Sequence, residues 1–144
     1  MSLREDLAQA IQVGLQEIQN PRLVLVTREP FEVEKLAITQ FPALLIKSGS
    51  EERQNVTMGS TAIGRRVGKI EMNVRGFVRG TDLDTKRNEI IDAVERAIDL
   101  DQNWGLKDRG VLGSQISVIE IIDRAPPLAE ISITITVNYN YLRN

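Results

Sequence analysis

The chain has 144 residues, 42% of them apolar, with 18 Lys and Arg against 20 Asp and Glu and a formal charge of −2. That describes one globular domain over residues 1–144, neither disordered nor pulled as a whole toward nucleic acid or an anionic membrane. There is no Cys and no His, which excludes disulfides, thiolate zinc sites, Cys nucleophiles and every Ser–His mechanism. Any chemistry would have to rest on carboxylates, Lys, Tyr or hydroxyls, so the composition leans away from an enzyme.

Ser2 to Gln19 reads as an amphipathic helix, because Leu3, Leu7, Ile11, Leu15 and Ile18 recur at steps of three or four and share one face. Ser2 and Glu5 have the spacing of a capping box, and Asn20-Pro21 stops the helix. Leu23 to Thr27 is a short apolar strand broken by Glu29-Pro30. Glu32 to Gln40 is ambiguous, with Val33, Leu36 and Ala37 able to share a face of a short helical turn. Phe41-Pro42 opens a buried strand, Ala43 to Lys47. The stretch Gly49 to Gly68 is long and polar for a loop, which favours an extended β-arm with a mobile tip.

Lys69 to Arg79 is the next strand: Ile70, Met72 and Val74 alternate with Glu71, Asn73 and Arg75, and Gly76 invites a bulge. Thr81 to Asp84 offers N-caps for a second helix, about Asp84 to Leu100, with Ile90, Ile91, Val94, Ala97 and Ile98 as its apolar members. Trp104 to Ser114 is a loop with glycines at 105, 110 and 113. In the following strand Ile116, Val118, Glu120 and Ile122 occupy one phase, and Ser117, Ile119 and Ile121 the other. After a turn at Pro126-Pro127, Ile131, Ile133, Ile135, Val137, Tyr139 and Tyr141 alternate strictly with polar residues, which argues for a long antiparallel strand with one buried face. The order gives an α+β fold: a single antiparallel β-sheet of four to five strands packed by two α-helices, with a long polar arm. The longest apolar runs, such as Leu23 to Val26, are four residues, whereas a membrane-spanning helix needs roughly 20. No leader or membrane segment is visible, and the expected place of synthesis is the cytoplasm.

Few residues suggest chemistry. Asp82 with Asp84 and Asp99 with Asp101 are oxygen donors of the kind hard cations take, but acids at helix ends and turns are the plainer reading. A metal-dependent nuclease would need a third carboxylate and a Lys converging with one pair, and the sequence singles out none. Gly59-Ser60-Thr61 with Gly64 lacks the Lys of a phosphate-binding loop. More informative is a basic cluster, Arg65, Arg66, Lys69, Arg75 and Arg79, which faces Glu71 alone between residues 63 and 80. A solvated hairpin face, a subunit or partner contact and nucleic-acid binding all remain open for it. Phe77 is the one aromatic interleaved with it, so a base-stacking platform is poorly supported. Phe77 and Trp104, beside loops, either fill a core edge or anchor a partner. A long edge strand would need covering, and a closed ring of copies covers every edge.

The order of elements resembles the tail terminator, or tail completion, proteins of long-tailed bacteriophages. The resemblance rests on the opening helix Leu3 to Ile18, the Phe-Pro-Ala-Leu-Leu-Ile strand at 41–46, and the polar arm leading into the strand that starts at Lys69. It continues through the helix from Arg87, the loop with Trp104, and two closing strands joined through Ala125-Pro126-Pro127. It implies a structural virion protein, not an enzyme, that forms a hexameric ring capping the head-proximal end of a tail tube, assembled in the host cytoplasm. The implied partners are the tail tube protein and a head-completion or neck protein, with DNA passing through the ring without specific binding and no cofactor or metal. The subunit or partner interface is expected at Arg65, Arg66, Lys69, Arg75, Phe77, Arg79 and Trp104. Another neck, connector or baseplate ring component, a small metal-dependent nuclease and a small ligand-binding domain stay open as alternatives.

Overall fold

The computed structural model describes residues 2–19, 22–55 and 65–142. Helix α1 spans Leu3–Gln16, and Ser2 caps it by accepting the Glu5 N–H at 3.2 Å. The reciprocal half of the expected capping box is absent, because the Glu5 carboxylate turns to Arg28, whose guanidinium reaches it at 2.6 and 2.9 Å. Strand β1 is Leu25–Thr27, and two single 3-10 turns, Val33–Lys35 and Ile38–Gln40, occupy the ambiguous stretch. Strand β2 runs Ala43–Asn55 and β3 Arg65–Arg79. The described residues of the polar stretch after Lys47, 48–55 and 65–68, are therefore strand, as expected of an extended arm. Its expected tip, 56–64, lies outside the described residues, and so does the Gly59-Ser60-Thr61-Gly64 motif.

Helix α2 is Leu83–Leu100. Asp82 holds its N-cap position in the left-handed region, at φ 53°, and makes no side-chain cap bond, so the expected carboxylate capping is not realised there. A third 3-10 turn, Lys107–Arg109, leads into β4, Val111–Ile122, and β5 is Leu128–Leu142. The turn ends on Gly110, at φ 90°, whose carbonyl accepts the Asn140 N–H at 2.8 Å. A Cβ there would lie 2.0 Å from the Asn140 carbonyl oxygen, so the close approach requires glycine.

Among the described residues, five strands form one sheet in the order β1-β2-β3-β5-β4. All neighbours are antiparallel except β1 and β2, which are parallel; the expected single sheet is present, and this one pair makes it mixed. A parallel pair needs a longer connection than a hairpin, and residues 28–42 supply it. Both helices lie on one face, α1 over β1 and β2, α2 over β3, β5 and β4. The core between them joins Leu7, Ile11 and Leu15 of α1 and Ile90, Val94 and Ile98 of α2 to Leu44, Ile46, Ile70, Met72, Val74, Ile131, Ile133 and Ile135. The period of two in β5 is the direct cause, since each odd-numbered residue from Ile131 to Tyr139 is buried on that face.

Gly76 causes no bulge: it pairs in register with Leu44 and Ile131, and Ile90 and Ile131 occupy the space its side chain would take. The irregularities fall instead between Ser48 and Glu51 in β2, between Val111 and Gly113, and between Ile116 and Val118 in β4. The last of these shifts the phase of β4. Ile119 and Ile121 stand opposite Ile133 and Ile131 on the helix-bearing side, and Val118 and Glu120 fall opposite Thr134 and Ser132 on the other.

Candidate interaction surfaces

The face of the sheet without helices has two halves. At one end the connection between β1 and β2 folds over it and buries Val33, Ala43 and Phe77, with Phe31, Leu36 and Phe41 packed around them. Phe31 and Phe77 meet edge to face at a 5.4 Å centroid distance. Beside them Glu130, fully buried, accepts from Arg75 Nε at 2.7 Å and Arg124 Nε at 2.6 Å. The two guanidinium groups lie 5.2 and 5.4 Å from the centre of the Phe77 ring, close enough for cation–π attraction. Arg124 also reaches Glu34 at 3.1 Å, tying the overlying segment to the sheet.

The other half is open and rich in hydroxyls and amides. Asn73 donates to Ser132 Oγ at 2.8 Å and Thr136 Oγ1 to Ser117 Oγ at 2.8 Å. Lys69 is exposed there, in register with Glu52 and Asn138, and lines a shallow hollow with them.

The basic cluster is thus divided. Lys69 is open to solvent, and Arg75 is engaged by Glu130. Arg79 is half-buried, its carbonyl accepting from Lys86 Nζ at 3.0 Å. Arg65 and Arg66 open β3, and their side chains lie outside the described part. Phe77 is 2% exposed and Trp104 7%, so both fill core edges within this chain. The Trp104 indole N–H donates to Ser114 Oγ at 2.8 Å. Its ring edge lies against Gly14 of α1, where a Cβ would sit 2.9 Å from it.

On the helix side, a groove of about 640 Å³ runs between α1 and α2 with Trp104 at its wall; Val13 and Leu100 stand at its rim, 52% and 80% exposed. Near the start of α1, Glu51 accepts from Arg4 at 3.3 Å, Arg53 at 2.6 Å and the Tyr139 hydroxyl. Burial works against the Glu51 charge, but the bonds from Tyr139, Arg53 and Arg4 outweigh it and hold the carboxyl below its ordinary range. Burial, reinforced by that carboxylate, pushes the Tyr139 hydroxyl up to about 12. Gly68 makes room for the ring, since a Cβ there would lie 2.4 Å from Tyr139. Glu5 is likewise held low, chiefly by its hydrogen bonds from Arg28.

No three potential metal-ligating side chains converge among the described residues. Asp84 reaches Arg87 at 3.3 Å, and no other carboxylate joins it and Asp82 in a cluster. Among the described residues no helix is long and apolar enough to cross a membrane.

Fold and surface together define a small α+β module with one helix-covered face and two unlike sheet edges. No family model and no curated protein matches the chain. Among solved structures it is similar to a chain of the "virion of native gene transfer agent (GTA) particle", at 12% identity and a TM-score of 0.56, covering 94% of this chain and 95% of that one. At that identity the likeness is one of fold.

Proposed function

We propose that this chain is a structural virion protein that forms a ring on the head-proximal end of a phage tail tube, stopping tube growth and providing the joint to the head or neck. One observation carries the reading: the fold matches, over nearly the full length of both chains, a chain of a virion particle. The order of elements on which the resemblance to tail terminators rests is retained through the sheet and both helices. The surfaces suit such a role. Open sheet edges and an apolar groove offer contacts for copies and partners, and the open half of the helix-free face, with Asn73, Ser132, Thr134 and Thr136, is polar without a strong charge of one sign. A bore that DNA crosses without specific binding requires a lining of that kind, because each phosphate contact would retard transit. The partners in this reading are further copies in a hexamer, the tube protein below and a neck protein above, and the chain carries out no bond-making reaction.

The test adds purified chain to polymerising tube subunits of the same particle and measures tube length by electron microscopy. Tubes that stop short and carry a ring at one end are expected. An unchanged length distribution would overturn the terminator reading and favour a neck or baseplate ring.

A further inference from the structure

We propose that the β4 edge of one copy adds as a strand to the opposite sheet edge, β1 with the uncovered half of β2, in a second copy. This names the subunit contact of the ring proposed above and rests on that reading. Among the described residues, strand β4 ends the sheet and pairs with β5 along one side only. Apolar side chains stand exposed along it: Leu112, Val118, Ile119 and Ile121 are 56%, 46%, 42% and 50% exposed, Ile119 and Ile121 toward the helix-bearing face and Val118 toward the other. Between Val111 and Ile122 there is no Lys, Arg or Pro, and Glu120 is the single charge. Natural edges are usually blunted by such residues or covered; here one charge and two bulges, at Leu112 and at Ser117, are the devices present.

The opposite edge is its complement. Strand β1 pairs with Ala43, Leu44 and Leu45, and among the described residues the rest of β2 has no strand partner on that side. A cleft of about 470 Å³, lined by Thr27, Arg28, Glu29, Ile46, Lys47 and Ser48 with Gln12 of α1, lies where β1 stops. Val24, just before β1, is 45% exposed, and Arg22 and Lys47 are exposed with positive charge, opposite in sign to Glu120 and Asp123 beside the β4 edge.

Directions agree as well. Since β4, β5, β3 and β2 are successively antiparallel, β4 runs opposite to β2 and to β1. A copy rotated about an axis along the strands therefore presents antiparallel partners. Two different edges meeting head to tail make a heterologous contact that repeats and closes. A contact of β4 with β4 would join two copies and leave the β1–β2 edge open.

The absence of Cys allows a direct test by paired cysteines under oxidation. Val118→Cys on β4 is combined in turn with Val24→Cys, Thr27→Cys and Lys47→Cys on the other edge. At least one pair is expected to give a ladder of linked multimers, reversed by thiol, with Val118→Cys alone giving none. Dimers from Val118→Cys alone, or no linked species from any pair in solution and on tube ends, overturn the contact. A second variant, Ile119→Lys with Ile121→Lys, is expected to abolish multimers while leaving the melting temperature of the monomer unchanged; multimers that persist overturn the contact. Linking without tube capping would keep the contact and remove the tail role. Capping without linking would keep the tail role and remove the contact.

Discussion

The two ends of strand β3 are built differently. At the Phe77 end the sheet is covered on both faces: helices pack on one side, and on the other the segment before β2 closes over Phe77 with Glu130 held between Arg75 and Arg124. At the Lys69 end, among the described residues, the helix-bearing side is filled by Ile70, Val137 and Tyr139, while Lys69 and Glu52 stand exposed and Asn138 partly exposed on the other. One strand thus passes from a region whose substitutions should cost stability to a region whose substitutions should be felt mainly by a partner.

Substitutions can break this contrast. Phe77→Ala should have the largest effect, about 4 kcal/mol of stability lost as a shift in urea midpoint, because it empties the second core and strips both arginines of their aromatic partner. Glu130→Ala should cost about 2 kcal/mol, since it removes the buried carboxylate that accepts from two guanidinium groups, themselves 38% and 27% exposed; a loss below 1 kcal/mol would mean the arginines turn fully to water. Tyr139→Phe should cost about 1 kcal/mol at neutral pH and change the alkaline limb of the stability curve. The hydroxyl titrates at about 12 in the fold against 10.0 unperturbed. Its contribution is therefore complete below pH 10 and lost as pH rises toward 12. Equilibrium unfolding between those values should show a steeper decline for the parent chain than for the Phe variant.

Substitutions at the open end should have the smallest effects on stability. Lys69→Glu should stay within about 0.5 kcal/mol and yet weaken joining to the tube. Arg65→Glu with Arg66→Glu extends the same test to the rest of the cluster, and unchanged ring assembly and joining would remove that cluster from the contacts.

Much of this architecture was legible from periodicity. Strict alternation from Ile131 to Tyr139 and the three-and-four spacing of Leu7, Ile11 and Leu15 state which side chains meet, because a strand and a helix each have one fixed period. What local pattern does not carry is partnership across the sheet. Glu130 neutralises Arg75 although 55 residues separate them, so the basic run looked more isolated in one dimension than it is in three. The parallel pairing of β1 was hidden for the same reason: the segment that makes it possible, 28–42, has no period of its own. Gly76 looked like a bulge and is a packing site, decided by Ile90 on another element. The exposure of Ile119 and Ile121 followed from two things no single strand announces: the bulge beside Ser117 and the place of β4 at the sheet edge.

On the proposed function, this protein acts by fit between its own copies and the end of a tube. Negative-stain imaging of particles assembled in cells lacking the chain is the decisive test. Tails of uncontrolled length that fail to join heads are the expected result, restored by the parent chain. Tails of normal length joined to heads would contradict it.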